Sequence, residues 1–264
     1  VAGHTGFVGQ HLTKQLDSKG FLNIIPMSRS NGLDLSCGSN FSDINCDIVV
    51  NLSGLVGIDY SWKEPEKFYK DNYLTTLNLL KIARKNNASF IQISSYVYGE
   101  PEYQPIDEKH NVKGHNPYAS SKILSEKLCI DYANYYRMPV TIIRPFNLYG
   151  IHPRNNFLIS QLIESAISKS NTIIYDLYAK RDYLWVGDLV EGIIKVIDMQ
   201  KESLNIYNIG SGKSHSAREI INIISTHIPN INYSVTSNGG KLLIQDCICD
   251  NSLFSKDFNW HPKI

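Results

Sequence analysis

Val1-Ala2-Gly3-His4-Thr5-Gly6-Phe7-Val8-Gly9 decides the fold: a stub of apolar strand runs into three glycines at G-x-x-G-x-x-G spacing and then into a helical pattern. Small residues let the backbone turn tightly and approach a pyrophosphate, whose charge the N-terminus of the following helix favours. The last glycine lets helix and strand pack closely. Glycines punctuate many strand–helix turns, so the loop is weak evidence by itself. Its place at the first βα turn is what points to a dinucleotide, with Gly3, Thr5, Gly6, Phe7, Val8 and Gly9 as candidate contacts.

Outward from this loop, apolar runs at 22–27, 47–52, 89–94 and 139–143 read as short buried strands. Helical patterns lie between them, at 7–19, 72–87 and 117–136. Repeated β-α-β units predict a parallel sheet with helices on both faces. The polar segment 31–46 has little room for a full helix, so one crossover is abbreviated. Later segments read as helix (155–170), strand (172–176), helix (187–200), strand (204–209) and helix (215–227). There is no internal repeat, low-complexity tract or hinge linker.

Of the 264 residues 42% are hydrophobic and 19% charged, with a net charge of +1, so nothing marks a nucleic-acid or membrane surface. No apolar run approaches the roughly 18 residues of a membrane-spanning helix. No basic segment followed by an apolar one opens the chain. Cys37, Cys46, Cys129, Cys247 and Cys249 are an odd, scattered set, which fits a reducing cytoplasm better than a disulfide framework. Cys247-x-Cys249 reads as alternate faces of a strand rather than as a metal site. Only Val1 and Ala2 precede the first turn, and Trp260–Ile264 stop without a closing helix, so the chain reads as a fragment.

The second strand ends in Met27-Ser28-Arg29-Ser30. A carboxylate there would bind the 2′-hydroxyl of NAD, and an arginine can meet the 2′-phosphate of NADP. With no carboxylate at the strand end, Ser28 and Arg29 favour NADP(H), with NAD(H) as the alternative. Asp34 is placed at the adenine edge. A merely solvated arginine is the plainer reading of Arg29.

Asn116-Pro117-Tyr118-Ala119-Ser120-Ser121-Lys122 starts a helix that sets Lys122 one turn beyond Tyr118, on the same face. A neighbouring ammonium favours phenolate and draws a tyrosine down from about 10. Tyr118 can then move a proton on a hydroxyl or carbonyl oxygen while a hydride moves on carbon. Ser94, at the C-terminal end of the strand 89–94, would hydrogen-bond the same oxygen. A lone Y-x-x-x-K is common on helix surfaces; the glycine loop and the serine-bearing strand give this one its weight.

Together these motifs resemble the extended short-chain dehydrogenase/reductase family, which acts on nucleotide-sugars. TGFVG (5–9), NLSG (51–54), Asn72 with Thr76, ISSYVYG (93–99), YASSK (118–122), RPFNLYG (144–150), RDYLWVGDL (181–189), YNIGSG (207–212) and NWHPKI (259–264) follow the family's order over nearly the whole chain. The resemblance implies an α/β, Rossmann-type doubly wound parallel sheet with a small C-terminal substrate-binding lobe. Residues 1–150, joined by 182–209, would form the cofactor domain, and 151–181 with 210–264 the lobe. Ser94, Tyr118 and Lys122 would be the catalytic triad. Leu52, Ser53, Gly54 and Pro145 would line the cofactor, and Lys122 would hold the nicotinamide ribose. Ser95, Tyr96, Asn147 and Arg181 would face the sugar nucleotide, the last two at its diphosphate. A surface pair of Arg181 with Asp182 is the plainer reading. A homodimer through the helices 72–87 and 117–136 is implied, with Tyr73, Leu77, Leu80, Ile123, Leu124 and Leu128 as apolar stripes. Surface-polysaccharide synthesis is the implied setting.

Departures from the family pattern narrow the chemistry. Ser95-Tyr96 stands where 4,6-dehydratases carry an Asp-Glu pair, which disfavours elimination of water. Tyr96 also takes the place of the cysteine of 3,5-epimerising reductases. DLYAK before Arg181 lacks a glycine turn, and KLLIQDCICD (241–250) lacks an arginine for the nucleotide. The leading expectation is NADPH-dependent reduction of a nucleotide-linked 4-keto-6-deoxy sugar at C4. A nucleotide-sugar 4-epimerase holding NAD⁺ is second. A non-catalytic NADP(H)-binding sensor is third, since a sensor need not keep Tyr118 and Lys122.

Overall fold

The glycine-rich turn leads into α1 (Phe7–Ser18), which buries Gly9, Leu12 and Leu16 on one helical stripe. The computed structural model describes residues 1–21, 23–37, 44–151, 157–229, 231–236 and 244–264. The main sheet contains β1 (Ile48–Asn51), β2 (Ser89–Ile93), β3 (Val140–Pro145) and β7 (Leu204–Ile209), all parallel and adjacent in that order. Val50 faces Ile91, Ile91 faces Thr141, and Thr141 faces Asn205. Ala2 extends the ladder with parallel bridges to Asn51 and Met27.

Neighbouring strand residues point to opposite faces. Val50, Ile91, Ile93 and Ile143 pack with α1 and with α6 (Val186–Asp198). Val49, Phe90, Val140 and Ile142 pack with α3 (Pro65–Lys85) and α4 (Pro117–Tyr136). Leu79 and Leu80 of α3 are wholly buried, each stabilising the fold by about 1.5–3 kcal/mol. Both faces are therefore covered, as near-continuous apolar strands require.

The later chain builds smaller sheets. β4 (Asn147–Tyr149) pairs in parallel with β6 (Lys180–Trp185), and β6 pairs antiparallel with β8 (Ser214–Ser216). β5 (Asn171–Ile174) pairs in parallel with β9 (Asn232–Val235). Between them α5 (Leu158–Ser168) and α7 (Ala217–Ser225) share a cluster of Leu162, Ile174, Ala217, Ile220 and Ile221. Ser216 and Glu219 close a capping box at the start of α7.

Several expectations need correction. The strand expected at 22–27 reduces to one bridge at Met27 among its described residues; Leu22 lies outside them. Within the abbreviated crossover, Arg29–Asn31 make one 3₁₀ turn and residues 38–43 lie outside the description. The third helix starts at Pro65, seven residues ahead of 72, because proline suits a first helical turn. A short helix, α2 (Ile58–Lys63), precedes it. Cys247 and Cys249 are both buried, and the described residues around them form no strand beyond a single Ile106–Cys249 bridge; residues two apart on a strand would in any case share a face, so the reading as alternate faces is corrected. A helix, α8 (Ser252–Phe258), precedes the last residues, and Trp260 Nε1 donates to Asp188 O at 3.0 Å. No helix of the described residues is long and apolar enough to cross a membrane.

Candidate active site

One cavity of about 1940 Å³ lies along the C-terminal edge of the main sheet and reaches to α5 and β5. Every candidate residue lines it: Gly3, Thr5, Gly6, Phe7, Val8 and Gly9; Ser28, Arg29 and Asp34; Leu52, Ser53 and Gly54; Ser94, Ser95 and Tyr96; Tyr118 and Lys122; Pro145, Asn147 and Arg181. Strand ends gather them, which is where open α/β sheets place ligands.

At the cofactor loop, a Cβ on Gly9 would stand 2.2 Å from Gly3 O. Only glycine lets α1 begin this close to the first strand, leaving its N-terminal amides beside the cavity. Gly54 has φ +148°, and a Cβ there would meet Asn72 Oδ1 at 2.9 Å and Lys122 Nζ at 3.5 Å. Asn72 in turn accepts from Leu55 N at 2.7 Å and donates to Ser121 Oγ at 2.8 Å, tying the loop after β1 to α3 and α4.

The local sequence explains α4. Asn116 Oδ1 caps Ala119 N at 2.8 Å, and Pro117 takes the first turn. Tyr118 then stands edge-on to Phe68, ring centroids 6.2 Å apart. Lys122 is buried and donates to Ile93 O at 3.1 Å. Burial pushes its ammonium down to about 8, against the opposing pull of Glu126. Ser94 is 4% exposed, and its Oγ has no hydrogen-bond partner among the described residues. A buried hydroxyl facing a cavity without a partner is suited to a ligand oxygen.

Arg29 is more engaged than its sequence suggested. Its Nη2 donates to Asp71 Oδ2 at 2.8 Å and its Nε lies 3.4 Å from Asp34 Oδ2, while the side chain stays 54% exposed. The hydrogen bond that it donates to Asp71 raises the guanidinium further above its ordinary value. Hydrogen bonds from Ser36 hold the Asp34 carboxyl below the usual range. Asp71 comes from α3, so the strand end lacks a carboxylate in sequence but meets two in space.

At the substrate end, Tyr96 Oη donates to Gly99 O at 2.6 Å and its ring packs against Tyr98, His115 and Phe146. Burial drives its phenol far above the ordinary range, so it remains protonated. Arg181 Nη1 donates to Lys180 O and Ile244 O at 2.7 and 2.6 Å. The plainer pairing with Asp182 fails, because neighbours on β6 face opposite ways. Asp182 is wholly buried and accepts from Ser211 N, Gly212 N and Cys249 N.

Three groups were given no role in the sequence reading. Asn72 was legible only as part of a motif. His115 lines the cavity three residues before Tyr118, and spacing alone gave it no role. Glu126 and Arg144 make a buried pair behind Lys122; both lay within or beside recognised motifs, but their pairing crosses from α4 to β3.

A dinucleotide-type α/β sheet with a Ser–Tyr–Lys cluster at its strand ends defines a class of NAD(P)-dependent enzymes. Residues 1–210 match the NAD dependent epimerase/dehydratase family, and the chain belongs to it. It is 29% identical to UDP-glucose 4-epimerase of Yersinia enterocolitica, over 88% of this chain and 76% of the relative. It is 28% identical to GDP-6-deoxy-D-mannose reductase of Pseudomonas aeruginosa, over 85% and 78%. The crystal structure of UDP-glucose 4-epimerase from Bifidobacterium longum in complex with NAD⁺ and UDP superposes with a TM-score of 0.87 at 26% identity, covering 100% of this chain and 92% of that one.

Proposed function

We propose that the chain reduces a nucleotide-linked 4-keto-6-deoxy sugar at C4 with NADPH. The observation that carries this reading is Arg29, a half-exposed guanidinium on the cavity wall next to Ser28, at the strand end where an NAD enzyme would present a carboxylate. Its two ion pairs are partly solvated and individually weak, about 0–1 kcal/mol. A dianionic 2′-phosphate is the stronger partner for a guanidinium. The residues fit such a cofactor: Gly9 lets α1 start against the first strand, which leaves its N-terminal amides beside the cavity for a pyrophosphate, and Ser94 Oγ has no partner among the described residues.

NADPH, when bound, supplies the hydride. Tyr118 gives the C4 oxygen its proton, and Ser94 donates a hydrogen bond to that oxygen. Lys122 places a positive charge beside the developing oxyanion. Tyr96 has its one proton committed to Gly99 and takes no part in proton transfer at C5, in keeping with reduction rather than elimination. Asn147 and Arg181 hold the diphosphate, with the described residues of 151–181 and 210–264 enclosing the nucleotide. A homodimer through α3 and α4, a cytoplasmic setting and a role in surface-polysaccharide synthesis accompany this reading.

A 4-epimerase is the second reading, favoured by Asp34 and Asp71 beside Arg29, since carboxylates suit the 2′-hydroxyl of NAD. Denaturing the purified protein, identifying any released nucleotide, and titrating the emptied protein with NADPH and NADH separates the two. Bound NADP(H), or an empty site preferring NADPH, supports the reductase. NAD⁺ held near one per chain moves the assignment to the epimerase.

A further inference from the structure

Glu126 sits one turn beyond Lys122 on α4, four residues on and on the same face. It is 3% exposed, and a carboxylate buried to that degree needs a partner. Arg144 of β3 supplies it as a two-toothed grip: Nε donates to Oε1 at 3.0 Å and to Oε2 at 3.2 Å, and Nη2 to Oε2 at 2.6 Å. Arg144 is itself held, because its Nη1 donates to Tyr98 Oη at 2.9 Å. Tyr98 Oη donates to Asn208 Oδ1 of β7 at 2.5 Å, and Asn208 Nδ2 donates on to Ile106 O at 3.0 Å. Arg144 directly precedes Pro145 at the cavity wall.

Lys122 donates to Ile93 O, and that carbonyl is neutral. Of the charged and titratable groups, Glu126 and Cys129 act on it from its own helix, Tyr118 stands one turn before it, and Arg144 of β3 is paired with Glu126. From α3 it meets neutral Asn72 across Gly54, while Asp71 is turned to Arg29. Glu126 is thus the buried anion nearest in sequence and on the same helical face, and its grip by Arg144 fixes where that anion stands.

Resting on the role of Lys122 given above, we propose that Glu126, held by Arg144, is the positioning residue that keeps the Lys122 ammonium charged inside the cavity. Glu126 does not touch substrate or cofactor; it acts through the lysine. The guanidinium prevents the carboxylate from swinging onto the ammonium and closing it into a salt bridge, so the charge stays available to Tyr118 and a ligand.

NMR of protein carrying lysine labelled at its ε-carbon, with Lys122→Met to assign the signal, reads the titration of this one side chain without any substrate. The wild-type midpoint is expected near 8. Glu126→Gln is expected to lower it by about one unit or more, and the charge-neutral pair Glu126→Gln with Arg144→Met to lower it too. Glu126→Asp, which keeps the charge, is expected to hold the midpoint near that of the wild type. A midpoint that stays or rises in folded Glu126→Gln overturns the proposal. So does loss of the fold in both neutralised variants, since the pair would then be serving the fold and not the ammonium. The underlying reading is tested apart: if Lys122→Met still turns over 4-keto-6-deoxy nucleotide-sugars with NADPH, the role of Lys122 fails. If it does not, and Glu126→Gln leaves the midpoint in place, only the Glu126 proposal fails.

Discussion

Tyr118, Lys122 and Ser94 converge from α4 and from the end of β2, and each meets the cavity with a different capacity. Tyr118→Phe removes the transferable proton and little else, so turnover is expected to fall about 10²–10⁴-fold while NADPH binds as before, checked by steady-state kinetics alongside fluorescence titration. Lys122 carries its charge below about 8 and loses it above. Turnover is therefore expected to decline as pH rises through that value, seen as the alkaline limb of a kcat–pH profile. Arg29→Ala is expected to weaken NADPH binding by about 10–100-fold, a loss of a charge-assisted contact of about 1.5–3 kcal/mol, with little change for NADH. Parallel titrations with the two cofactors check it. The three side chains proposed as catalytic could be picked out because each belongs to a short pattern whose spacing has a mechanical meaning. The surroundings of Arg29 were not, since Asp71 lies 42 residues away in sequence and only the packing of α3 brings it within 2.8 Å.

Among the elements, α1 and α4 do most to shape the site, and both carry their reasons in sequence. α1 starts where Gly9 permits contact with Gly3, so Gly9→Ala is expected to destabilise the protein by about 1–3 kcal/mol and to weaken cofactor binding, measured by denaturant unfolding with and without NADPH. α4 starts at the Asn116 cap and Pro117, which the motif N-P-Y announces. The seam between β3 and α4 is less visible. Glu126→Ala would leave the Arg144 guanidinium buried and unpaired, at a cost of about 3–5 kcal/mol in the same unfolding assay. The parallel strands β1, β2, β3 and β7 were legible as apolar runs because both faces are covered. The short β4, β6, β8 and β9 were not: three or four residues give no periodicity, and β6 alternates in burial with a charged, motif-bearing sequence. At Met27 the opposite error arose, as an apolar run that reads as a strand contributes one bridge.

In the whole molecule, the main sheet and the later small sheets share one cavity of about 1940 Å³, lined from the start of α1 to α5. Phe7 at the start of α1 contacts Phe157 at the start of α5, ring centroids 6.3 Å apart, so the two ends of the cavity are in contact. The order of βα units announced the main sheet, and the contacts of Asn147 and Arg181 emerged only with the fold. The central claim is net hydride transfer from NADPH to a sugar carbon, assisted by Tyr118. Its most direct test is to supply NADPH deuterated at the transferring position together with nucleotide-linked 4-keto-6-deoxy sugars, and to locate the label in the product. Deuterium at C4, with one NADPH consumed per product and the signal lost in Tyr118→Phe, is the predicted result. An epimerised nucleotide-sugar formed without label or NADPH consumption would contradict it.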